Sequence, residues 1–548
     1  MTDRVLLGDE AVALGAVHAG LTAAYAYPGT PSTELLEFLL DHAVRHGGPH
    51  AAWCSNEKTA YEEALGVSFA GRRALVAMKH VGLNVAADPF INSALVAING
   101  GLVLAVADDP GMHSSQNEQD SRFYADFARI VCFEPANQQE AYDMTREAFD
   151  LSERFHVPVM IRLVTRLAHS RSAVRLADAR AENRVSRPAD TTAWTLLPGF
   201  ARRNWRALID RQGEFATYSE ACPHNALSLN EDDRSLGVIT TGLARNYFLE
   251  NAGELRVAPS HLHIGEYPLP VDKIRRLAEH VDRVLVLEEG QPFVERMLRG
   301  IVSPRAEIRG RQSGHIPPDG ELTPDIVRAA LGLPVREGIA LPGVALPARP
   351  PQLCAGCPHG DSYDAVKTAI ADFPGAVVNS DIGCYTLGAL APYSAIDSCV
   401  CMGASIGMAK GASEAGLKPA IAVIGDSTFL HSGVTPLMDA VAANTDMTLI
   451  ILDNGTVAMT GGQPTILTSS RLEQLILALG VDPEHFHVLS AHPRHEGRNA
   501  EVLHDEFGHR GLSVVVMVRE CVETARRNKR KVTAHVPVST HEPGEVPV

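Results

Sequence analysis

The segment AIAVIGDST (420–428) is followed by MTLIILDNGT (447–456), and these two stretches decide the fold of the carboxyl-terminal third of the chain. Each begins with a short apolar run, as a buried strand of a parallel sheet does, and ends in polar turn-forming residues. The residues between them, up to Asn444, have a helical pattern. The two segments therefore predict a βαβ unit whose two polar turns lie at the same edge of one sheet.

The polar turns carry groups that suit a diphosphate and its metal ion. Asn454 follows Asp426 after 28 positions (454 minus 426), at the end of the next strand. Gly425 and Ser427 allow a close approach of the backbone to phosphate, while Asp426, Asn454 and the carbonyl of Thr456 offer oxygens to one octahedral Mg²⁺. Each turn is also an ordinary turn sequence by itself. Their spacing within one βαβ unit favours a binding site.

Composition limits the classes of function. The 548 residues are 45% hydrophobic and 21% charged, as in a globular protein of several domains. The net charge of −16 (49 minus 65) argues against nucleic acid or an anionic membrane as the main partner. No segment has the pattern of a secretion signal or of a membrane span. We therefore expect a cytoplasmic protein.

The chain alternates short apolar runs with amphipathic stretches, which predicts the α/β class with several doubly wound parallel-sheet domains. The composition shifts at 181 and 334, where polar and then proline-rich segments interrupt this pattern. We predict the following organisation: an α/β domain at 1–180, a linker at 181–235, a second α/β domain at 236–333, an extended connector at 334–353, a third α/β domain at 354–525 and a flexible basic tail at 526–548.

The cysteines do not form a disulfide framework, because nine of them are scattered through a long chain without a secretion signal. The pair Cys354-x-x-Cys357 is ambiguous by itself, since this spacing serves zinc sites, redox dithiols and cluster ligands alike. Cys399 and Cys401 lie in a strand-like run and are expected to be core residues.

Eight segments together resemble the α-subunit family of indolepyruvate ferredoxin oxidoreductase, within the 2-oxoacid:ferredoxin oxidoreductase superfamily. The resemblance runs in order through roughly residues 5–525. The segments are AYPGTPSTE (26–34), SNEKTAYEEALG (55–66), MKHVGLNVAADP (78–89), CPHGDS (357–362), SDIGCYTLG (380–388), CMGASIG (401–407), GDSTFLHSG (425–433) and LDNGTVAMTGG (452–462).

The resemblance implies domains of the thiamine-diphosphate-binding type. It assigns 1–180 to the pyrimidine-binding domain, 236–333 to a domain like the transketolase carboxyl-terminal domain, and 354–525 to the diphosphate-binding domain. In the superfamily the cofactor bridges two domains or subunits. The backbone of Met402 and Gly403 falls where the family holds the aminopyrimidine ring.

The resemblance also implies catalytic residues. Glu57 matches the glutamate that hydrogen-bonds the pyrimidine ring and so helps the cofactor lose a proton. The local sequence predicts Thr30 as a helix N-cap with Pro31 at the first helical position, and the family adds a substrate contact for Thr30. Arg122 matches an arginine that pairs with the substrate carboxylate. Two further residues are expected to line the same cleft or to cap helices: Lys79 and His80.

In the superfamily a CxxC pair joins two later cysteines to hold a 4Fe–4S cluster near the thiamine. The matching residues are Cys354, Cys357, Cys384 and Cys521, which predict one cluster, with a structural zinc or free thiols as alternatives. No cysteine follows Cys521, so we expect the chain to lack the ferredoxin module that usually ends this family. Electrons would then leave for a separate protein.

The implied activity is the oxidative decarboxylation of a 2-oxoacid, an aryl pyruvate such as indolepyruvate, to an acyl-CoA with coenzyme A as co-substrate. The implied partners are a smaller β subunit, in a heterotetramer, and ferredoxin or another redox protein. One alternative is a non-redox thiamine-dependent decarboxylase or carboligase. Another is a non-catalytic scaffold, against which the presence of Glu57, Asp426 and Asn454 argues.

Overall fold

The fold is that of a computed structural model, which describes residues 3–304, 306–338, 343 and 350–534. The chain divides into two compact units, Met1–Val344 and Ala345–Val548, which we call unit 1 and unit 2. Each contains mostly parallel sheets with helices between the strands, so the predicted α/β class is confirmed.

Unit 1 contains a seven-stranded sheet of order β12-β6-β7-β5-β4-β2-β3, a five-stranded sheet of order β14-β13-β10-β11-β9, and the antiparallel pair β1-β8. The strands are β1 Asp3–Leu7, β2 Ala23–Ala26, β3 His50–Trp53, β4 Ala74–Lys79, β5 Leu102–Asp108, β6 Cys132–Phe133, β7 Val159–Val164, β8 Arg171–Arg175, β9 Leu227–Ser228, β10 Gly237–Thr241, β11 Ser260–Ile264, β12 Glu266–Tyr267, β13 Arg283–Leu287 and β14 Glu307–Arg309. The α-helices are α1 Gly8–His18, α2 Thr33–His46, α3 Glu57–Phe69, α4 His80–Ser93, α5 Arg122–Ala128, α6 Gln138–Phe155, α7 Thr165–His169, α8 Pro198–Ala221, α9 Ala244–Ala252, α10 Val271–His280, α11 Phe293–Leu298 and α12 Pro324–Ala330.

Unit 2 contains a six-stranded parallel sheet of order β16-β15-β17-β18-β22-β21 and the short antiparallel pair β19-β20. The strands are β15 Val377–Ser380, β16 Ser398–Cys399, β17 Ala420–Gly425, β18 Met447–Asp453, β19 Thr456–Val457, β20 Gln463–Pro464, β21 Phe486–Ser490 and β22 Leu512–Val518. The α-helices are α13 Pro358–Ile370, α14 Ala404–Glu414, α15 Asp426–Thr428, α16 Val434–Ala443, α17 Ser469–Ala478, α18 Glu496–Gly508 and α19 Val522–Ala534, and a single π-helical turn, Phe429–Gly433, joins α15 to α16.

The central strands of unit 2 are apolar throughout because both faces of their sheet are covered. Alternate residues of β17 and β18, such as Val423 and Ile450, pack with α13 and α18 on one face. The intervening residues, such as Ile424 and Leu449, pack with α14, α16 and α17 on the other. This arrangement is the reason that the two segments lack the alternation of polar and apolar residues seen in one-sided sheets.

The seven-stranded and five-stranded sheets of unit 1 are linked by strand β12. Strand β12 leaves the segment that forms the five-stranded sheet and pairs antiparallel with β6, at the edge of the seven-stranded sheet, where Glu266 lies opposite Phe133. The hydrophobic core of unit 1 accordingly runs through both sheets as one cluster. The parts of unit 1 predicted as separate domains therefore share a core.

A network of fully buried charges also connects these sheets. Arg162, on β7, donates to Asp108 and Glu134 over 2.6 Å each and to the carbonyl of Glu289 over 3.1 Å. These carboxylates are themselves buried, so the guanidinium neutralises acids that have no access to water. Breaking such a network on one side leaves uncompensated buried charge, which is costly.

The segment predicted as a linker, 181–235, is more ordered than expected. It contains α8, a 24-residue helix, whose Leu208 and Phe215 are buried against unit 1. The ring of Phe215 lies 4.8 Å from that of Phe155 on α6. The sequence pattern did not indicate α8 because its charged residues outnumber the few apolar residues that it buries. Among the described residues, neither α8 nor any other helix combines the length and apolar character needed to cross a membrane.

The predicted connector and tail lie partly outside the described residues. Residues 334–338 and 350–353 contain no helix or strand, and residues 339–342 and 344–349 of the connector are not described. The first part of the basic tail continues α19 to Ala534, and Arg527 donates hydrogen bonds to the carbonyls of Gly461 and Gly462. Residues 535–548 lie outside the described part of the chain.

We expect Arg162→Met to reduce the free energy of unfolding of unit 1 by about 3–5 kcal/mol, because it leaves Asp108 buried without its cation and Glu134 with only the more distant Arg122 at 3.6 Å. Denaturant unfolding followed by tryptophan fluorescence measures this effect, because all three tryptophans belong to unit 1: Trp53, Trp194 and Trp205.

The matched control is Arg166→Met. Arg166 lies four positions further along, and its side chain, which is 45% exposed, pairs with Glu321. A pair whose arginine is open to solvent contributes little, at most about 1 kcal/mol. Equal effects of the two substitutions would contradict a special role for the buried network.

Candidate active site

The carboxyl ends of β17 and β18 bring the predicted diphosphate residues together in unit 2. Strand β17 ends at Gly425 and α15 begins at Asp426, while β18 ends at Asp453, next to Asn454. A Cβ atom on Gly425 would lie 2.6 Å from the ring of Tyr385, so only glycine fits this position. The apolar runs that begin the segments 420–428 and 447–456 form strands, Ala420–Gly425 and Met447–Asp453, as predicted.

Asp426 is a buried acid beside a second buried acid. Its Oδ1 accepts a hydrogen bond from the amide of Ser427 at 2.8 Å, and its Oδ2 accepts one from the amide of Gly455 at 2.9 Å. Burial, and next the neighbouring carboxyl of Asp453, raise the pKa of Asp426 well above its usual range. Among the described residues, no basic side chain belongs to the groups that change the pKa of Asp426 most. Two adjacent buried carboxyls of this kind fit a divalent cation.

Asn454 is held in one orientation by a histidine. Burial lowers the pKa of His359 to about 4, so its ring is neutral and Nε2 accepts a hydrogen bond from Asn454 Nδ2 over 3.1 Å. The amide oxygen of Asn454 consequently points the other way, where it accepts from the amide of Thr456 at 3.0 Å. This oxygen is on the same loop as Gly455, whose amide contacts Asp426. The donor set of the loop therefore suits a hard cation such as Mg²⁺.

The segment predicted to contact the aminopyrimidine is a tight turn at the start of α14. Gly403 has a φ of +80° and is the N-cap residue of α14. A Cβ atom at this position would lie 2.5 Å from the Cβ of Ser432, in the π-helical turn that follows β17. Met402, just before it, is half-buried. The turn at 402–403 is thus packed directly against the helical segment that begins at Asp426.

A buried acid that the sequence reasoning missed supports this turn. Asp381 accepts hydrogen bonds from the hydroxyl of Tyr385 and from the hydroxyl of Ser405, the latter at 2.6 Å. Burial raises the pKa of Asp381 to about 6. Asp381 and Tyr385 lie in the segment 380–388. Asp381 directly follows strand β15, and this position of an acid at a strand end, like that of Asp426, is the signal that could have identified it. His359 and Asp453 were missed too, although both lie in segments that carried the family resemblance.

The structure brings the four predicted cluster cysteines into one neighbourhood of unit 2. Burial raises the pKa of Cys384 to about 12, and the next causes are the nearby thiols of Cys357, Cys521 and Cys354. Burial and the thiols of Cys354 and Cys521 raise the pKa of Cys357 in the same way. Each thiolate disfavours its neighbours unless a cation binds them. Such a group of thiols is therefore a candidate ligand set.

The cysteine group is directly connected to the diphosphate loop. The amide of Cys521 donates a hydrogen bond to the carbonyl of Asn454 at 3.1 Å. Cys357 is the N-cap of α13, whose second residue is His359, the partner of the Asn454 side chain. Cys399 is outside this group and is half-buried on β16, whereas Cys401 is exposed, which differs from the core position expected for it. A redox group held by the four thiols would thus lie next to the diphosphate site.

In unit 1, Glu57 lies at the first position of α3, after the N-cap Asn56, whose side chain accepts from the amide of Thr59 at 2.9 Å. The glutamate side chain is 5% exposed, despite the presence of Lys58 beside it. It rests on α4, where a Cβ on Gly82 would approach Glu57 Oε1 to 2.5 Å. Glu57 is therefore buried where α3 packs on α4, although it lies at the start of a helix that also carries exposed charged residues.

The loop that contains Thr30 has a different local structure from the predicted one. Helix α2 begins at Thr33 with Ser32 as the N-cap residue, so the prediction of Thr30 as N-cap and Pro31 as the first helical residue is wrong. The turn is closed instead by Ser32, whose hydroxyl donates to the carbonyl of Gly29 at 2.8 Å. Thr30 is consequently left half-buried on the loop, with its side chain unused for capping.

Lys79 lies beside this loop, at the end of β4. Its ammonium donates to the carbonyl of Ser114 at 2.6 Å, and the Ser114 hydroxyl donates to the carbonyl of Thr30 at 3.3 Å. Burial lowers the pKa of Lys79 to about 8, against the opposing effect of Asp109. His80, the first residue of α4, is buried and contacts the carbonyl of Asn117. Thr30 and Lys79 therefore share the carboxyl edge of the seven-stranded sheet.

Arg122 does not face a cleft, which corrects the expectation that it binds the substrate carboxylate. The side chain is 1% exposed and lies within the buried charge network of unit 1. Its guanidinium donates to Asp120, to the hydroxyl of Tyr267 at 3.2 Å and to the carbonyls of Glu289 and Gln291 at 3.0 Å, and pairs with Glu288 at 3.0 Å. Every donor group of this arginine is therefore committed to protein acceptors.

Two family models match the chain. The family described as pyruvate flavodoxin/ferredoxin oxidoreductase, thiamine diP-bdg, matches residues 14–205. The family described as thiamine pyrophosphate enzyme, C-terminal TPP binding domain, matches residues 381–488. The first range contains Glu57 and Thr30, and the second contains Asp426, Asn454 and Cys384.

Curated relatives match the chain almost from end to end. The indolepyruvate oxidoreductase subunit IorA of Archaeoglobus fulgidus is 37% identical over 97% of this chain and 89% of the relative. The protein of the same name from Methanothermobacter thermautotrophicus is 35% identical over 94% of this chain and 86% of its own length. Among solved structures, a 2-oxoglutarate:ferredoxin oxidoreductase from Magnetococcus marinus has a similar fold, with a TM-score of 0.51 and 17% identity over 60% of this chain and 65% of that chain.

We expect Asp426→Asn to stabilise unit 2 in the absence of divalent cations, because it removes one of two adjacent buried carboxyls. In EDTA at neutral pH the unfolding midpoint of the variant should rise by about 2–4 °C, which corresponds to about 1 kcal/mol in a unit of this size. Scanning calorimetry measures this midpoint.

Millimolar Mg²⁺ should raise the midpoint of the native protein and leave that of the variant nearly unchanged. The control, Asp439→Asn, alters an exposed acid on α16 and should behave like the native protein under both conditions. A destabilised variant in EDTA, or an equal response to Mg²⁺, would show that Asp426 is not part of a cation site.

Proposed function

Because this chain belongs to the family of the indolepyruvate oxidoreductase subunit IorA, we propose that it carries out the thiamine-diphosphate-dependent oxidative decarboxylation of a 2-oxoacid. The observation that supports this proposal most strongly is the hydrogen bond between the amide of Cys521 and the carbonyl of Asn454. It connects the predicted diphosphate loop to the predicted redox ligands. A decarboxylase without redox chemistry has no need for such a connection.

The cofactor would be held by its diphosphate in unit 2. We assign the Mg²⁺ ligands to Asp426, Asn454 and the carbonyl of Thr456, since the first two offer buried oxygens on adjacent loops. Gly425 and Ser427 provide the close backbone approach for phosphate oxygens. The backbone of the turn at 402–403 is assigned to the pyrimidine ring. When bound, thiamine diphosphate supplies a nucleophilic carbon and an electron sink.

Glu57 is assigned to the protonation chemistry of the pyrimidine ring. Its burial at the start of α3 excludes water from the carboxyl group. A carboxyl group at this position would hydrogen-bond the ring nitrogen and so favour the tautomer needed for catalysis. The neighbouring Glu62, by contrast, is exposed and pairs with Lys58.

We assign Thr30 to contact with the 2-oxoacid, and Lys79 to the same cleft. Both lie at the carboxyl edge of the seven-stranded sheet, where parallel α/β folds bind their ligands. Arg122 is left out of this assignment because its guanidinium is buried among acids. The names of the relatives support an aryl 2-oxoacid such as indolepyruvate as the substrate.

Cys354, Cys357, Cys384 and Cys521 are assigned to one 4Fe–4S cluster, which would supply one-electron transfer. Their mutual effect on the pKa values of Cys357 and Cys384 supports a common ligand set. Coenzyme A is the proposed acyl acceptor. The proposed partners are a smaller β subunit, in a heterotetramer, and ferredoxin or a similar redox protein, and the proposed compartment is the cytoplasm.

Glu57→Gln tests the assignment in unit 1. We expect kcat for decarboxylation to fall about 100-fold or more, because the amide cannot exchange a proton with the ring. Affinity for thiamine diphosphate, measured by calorimetric titration, should change much less than kcat.

Glu62→Gln on the same helix is the matched control and should retain the native rate. Native kcat in Glu57→Gln, with saturating cofactor, would remove Glu57 from the mechanism.

The cluster assignment is tested by iron and sulfide analysis of anaerobically purified protein, with electron paramagnetic resonance after reduction by dithionite. About four irons and four sulfides per chain are expected, with a reduced-cluster signal. Cys384→Ala should lose this signal.

The control for the cluster test is Cys399→Ala, which alters a half-buried cysteine outside the group of four. It should retain the iron and the signal. Protein that binds thiamine diphosphate but contains zinc, or no metal, at these thiols would refute the electron-transfer route and leave simple decarboxylation of the same oxoacids as the activity to measure.

A further inference from the structure

Three side chains from three helices of unit 1 form a cluster that the proposed activity does not use. Asp9 lies in the first turn of α1, Glu34 in the first turn of α2, and His169 at the end of α7. One ligating atom from each of them lies within 4.8 Å of the other two. The cluster contains the donor types that bind transition metal ions, an imidazole and two carboxylates.

Asp9 is the part of this cluster that points to a ligand. Its side chain is 0% exposed, and neither carboxylate oxygen has a hydrogen-bond partner in the described residues. Burial, and next the charge of Glu34, raise its pKa well above the usual range, against the opposing effect of the Leu35 backbone, and Glu10 adds to the rise. A buried carboxylate without a partner is unfavourable. A cation placed between Asp9 and Glu34 would remove this unfavourable charge.

His169 supplies the nitrogen donor of the cluster. Its Nε2 lies 3.3 Å from Oε2 of Glu34, with which it forms a hydrogen bond and an ion pair. The hydrogen bond to Glu34 raises the pKa of His169 against the opposing effect of burial. A divalent cation would replace the imidazole proton and bind the same nitrogen and carboxylate.

We propose that Asp9, Glu34 and His169 bind a divalent first-row transition metal ion of the zinc type. Zinc bonds to nitrogen and oxygen of about 2.0–2.2 Å place tetrahedral ligands about 3.4 Å apart, so the site closes by small rotations of the two outer side chains. The side chains of Glu34 and His169 are 37% and 34% exposed, which leaves room for water as the fourth ligand. The proposal is independent of the proposed function.

The ion would fasten the loop that contains Thr30. Glu34 lies four residues after Thr30, in the first turn of α2. Binding of Glu34 and His169 to one ion would attach the start of α2 to the end of α7. Asp9 would attach the same ion to α1. The site is therefore expected to order the loop rather than to take part in the reaction.

The test uses the full chain with its cluster, Mg²⁺ and thiamine diphosphate in place, so that the thiols and the diphosphate loop are occupied. Native protein, Asp9→Asn and His169→Gln are dialysed against micromolar Zn²⁺, and bound zinc is counted by mass spectrometry. Affinity is measured by competition with a chromophoric chelator. We expect one zinc per native chain and at least about tenfold weaker binding in both variants.

Asp41→Asn is the matched control, since Asp41 is an exposed acid on α2 that pairs with Arg45. It should bind zinc as the native protein does. Tryptophan fluorescence of each variant verifies that unit 1 is folded. Equal zinc content and affinity in all four proteins would overturn the proposal, because an adventitious ion does not depend on Asp9 or His169.

Cobalt in place of zinc identifies the ligands. Nitrogen and oxygen ligation gives weak visible bands that Asp9→Asn removes, whereas a thiolate charge-transfer band that persists in this variant would overturn the proposal. Iron, sulfide and thiamine diphosphate are measured in the same samples. Their loss would count against the proposed function, while loss of zinc binding alone counts against the metal site.

Discussion

Asp426 and Asp453 lie buried side by side at the ends of two adjacent strands, and the unit that contains them supplies no strong cationic partner among its described residues. In unit 1, by contrast, Arg162 neutralises the buried carboxylates of Asp108 and Glu134 from within the chain. The same physical requirement, compensation of charge in a low-dielectric interior, is thus met in two ways. In unit 1 the chain provides its own cation and the result is a structural network, whereas the uncompensated acids of unit 2 fit the proposed cation site.

The positions of the proposed cofactor residues at strand ends were predictable because their signals are local. Gly425, Asp426 and Asn454 each follow an apolar run, and strand ends of a parallel sheet meet at one edge. The burial of Arg122 could not be predicted in this way, because its hydrogen-bond partner Tyr267 lies 145 positions further along the chain. Thr30 was misplaced as an N-cap because Ser32 and Thr33 offer the same chemistry, and only backbone geometry distinguishes them. The helix α8 was hidden because tertiary burial of Leu208 and Phe215 outweighs its polar composition.

The two predicted functional elements of unit 2 are connected by main-chain and side-chain contacts of one residue. Asn454 binds His359 through its amide nitrogen, Thr456 through its side-chain oxygen and Cys521 through its carbonyl. Displacement of this loop would therefore move both the proposed cation ligands and the thiols. In the proposed reaction, electron transfer over a short path requires that the diphosphate site and the thiols keep a fixed separation, and these contacts of Asn454 would help to maintain it.

The pairing of β12 with β6 limits where the chain can be divided into fragments that fold. A fragment that stops after the first sheet, before 236, would expose the edge of β6 and lose the Tyr267 hydroxyl that contacts Glu134 at 2.6 Å. Exposed strand edges pair with other chains, and buried charges without partners favour unfolding. Recombinant pieces or chimaeras joined at that apparent boundary would therefore aggregate, whereas an exchange of the whole of unit 1 keeps every one of these contacts inside a single piece.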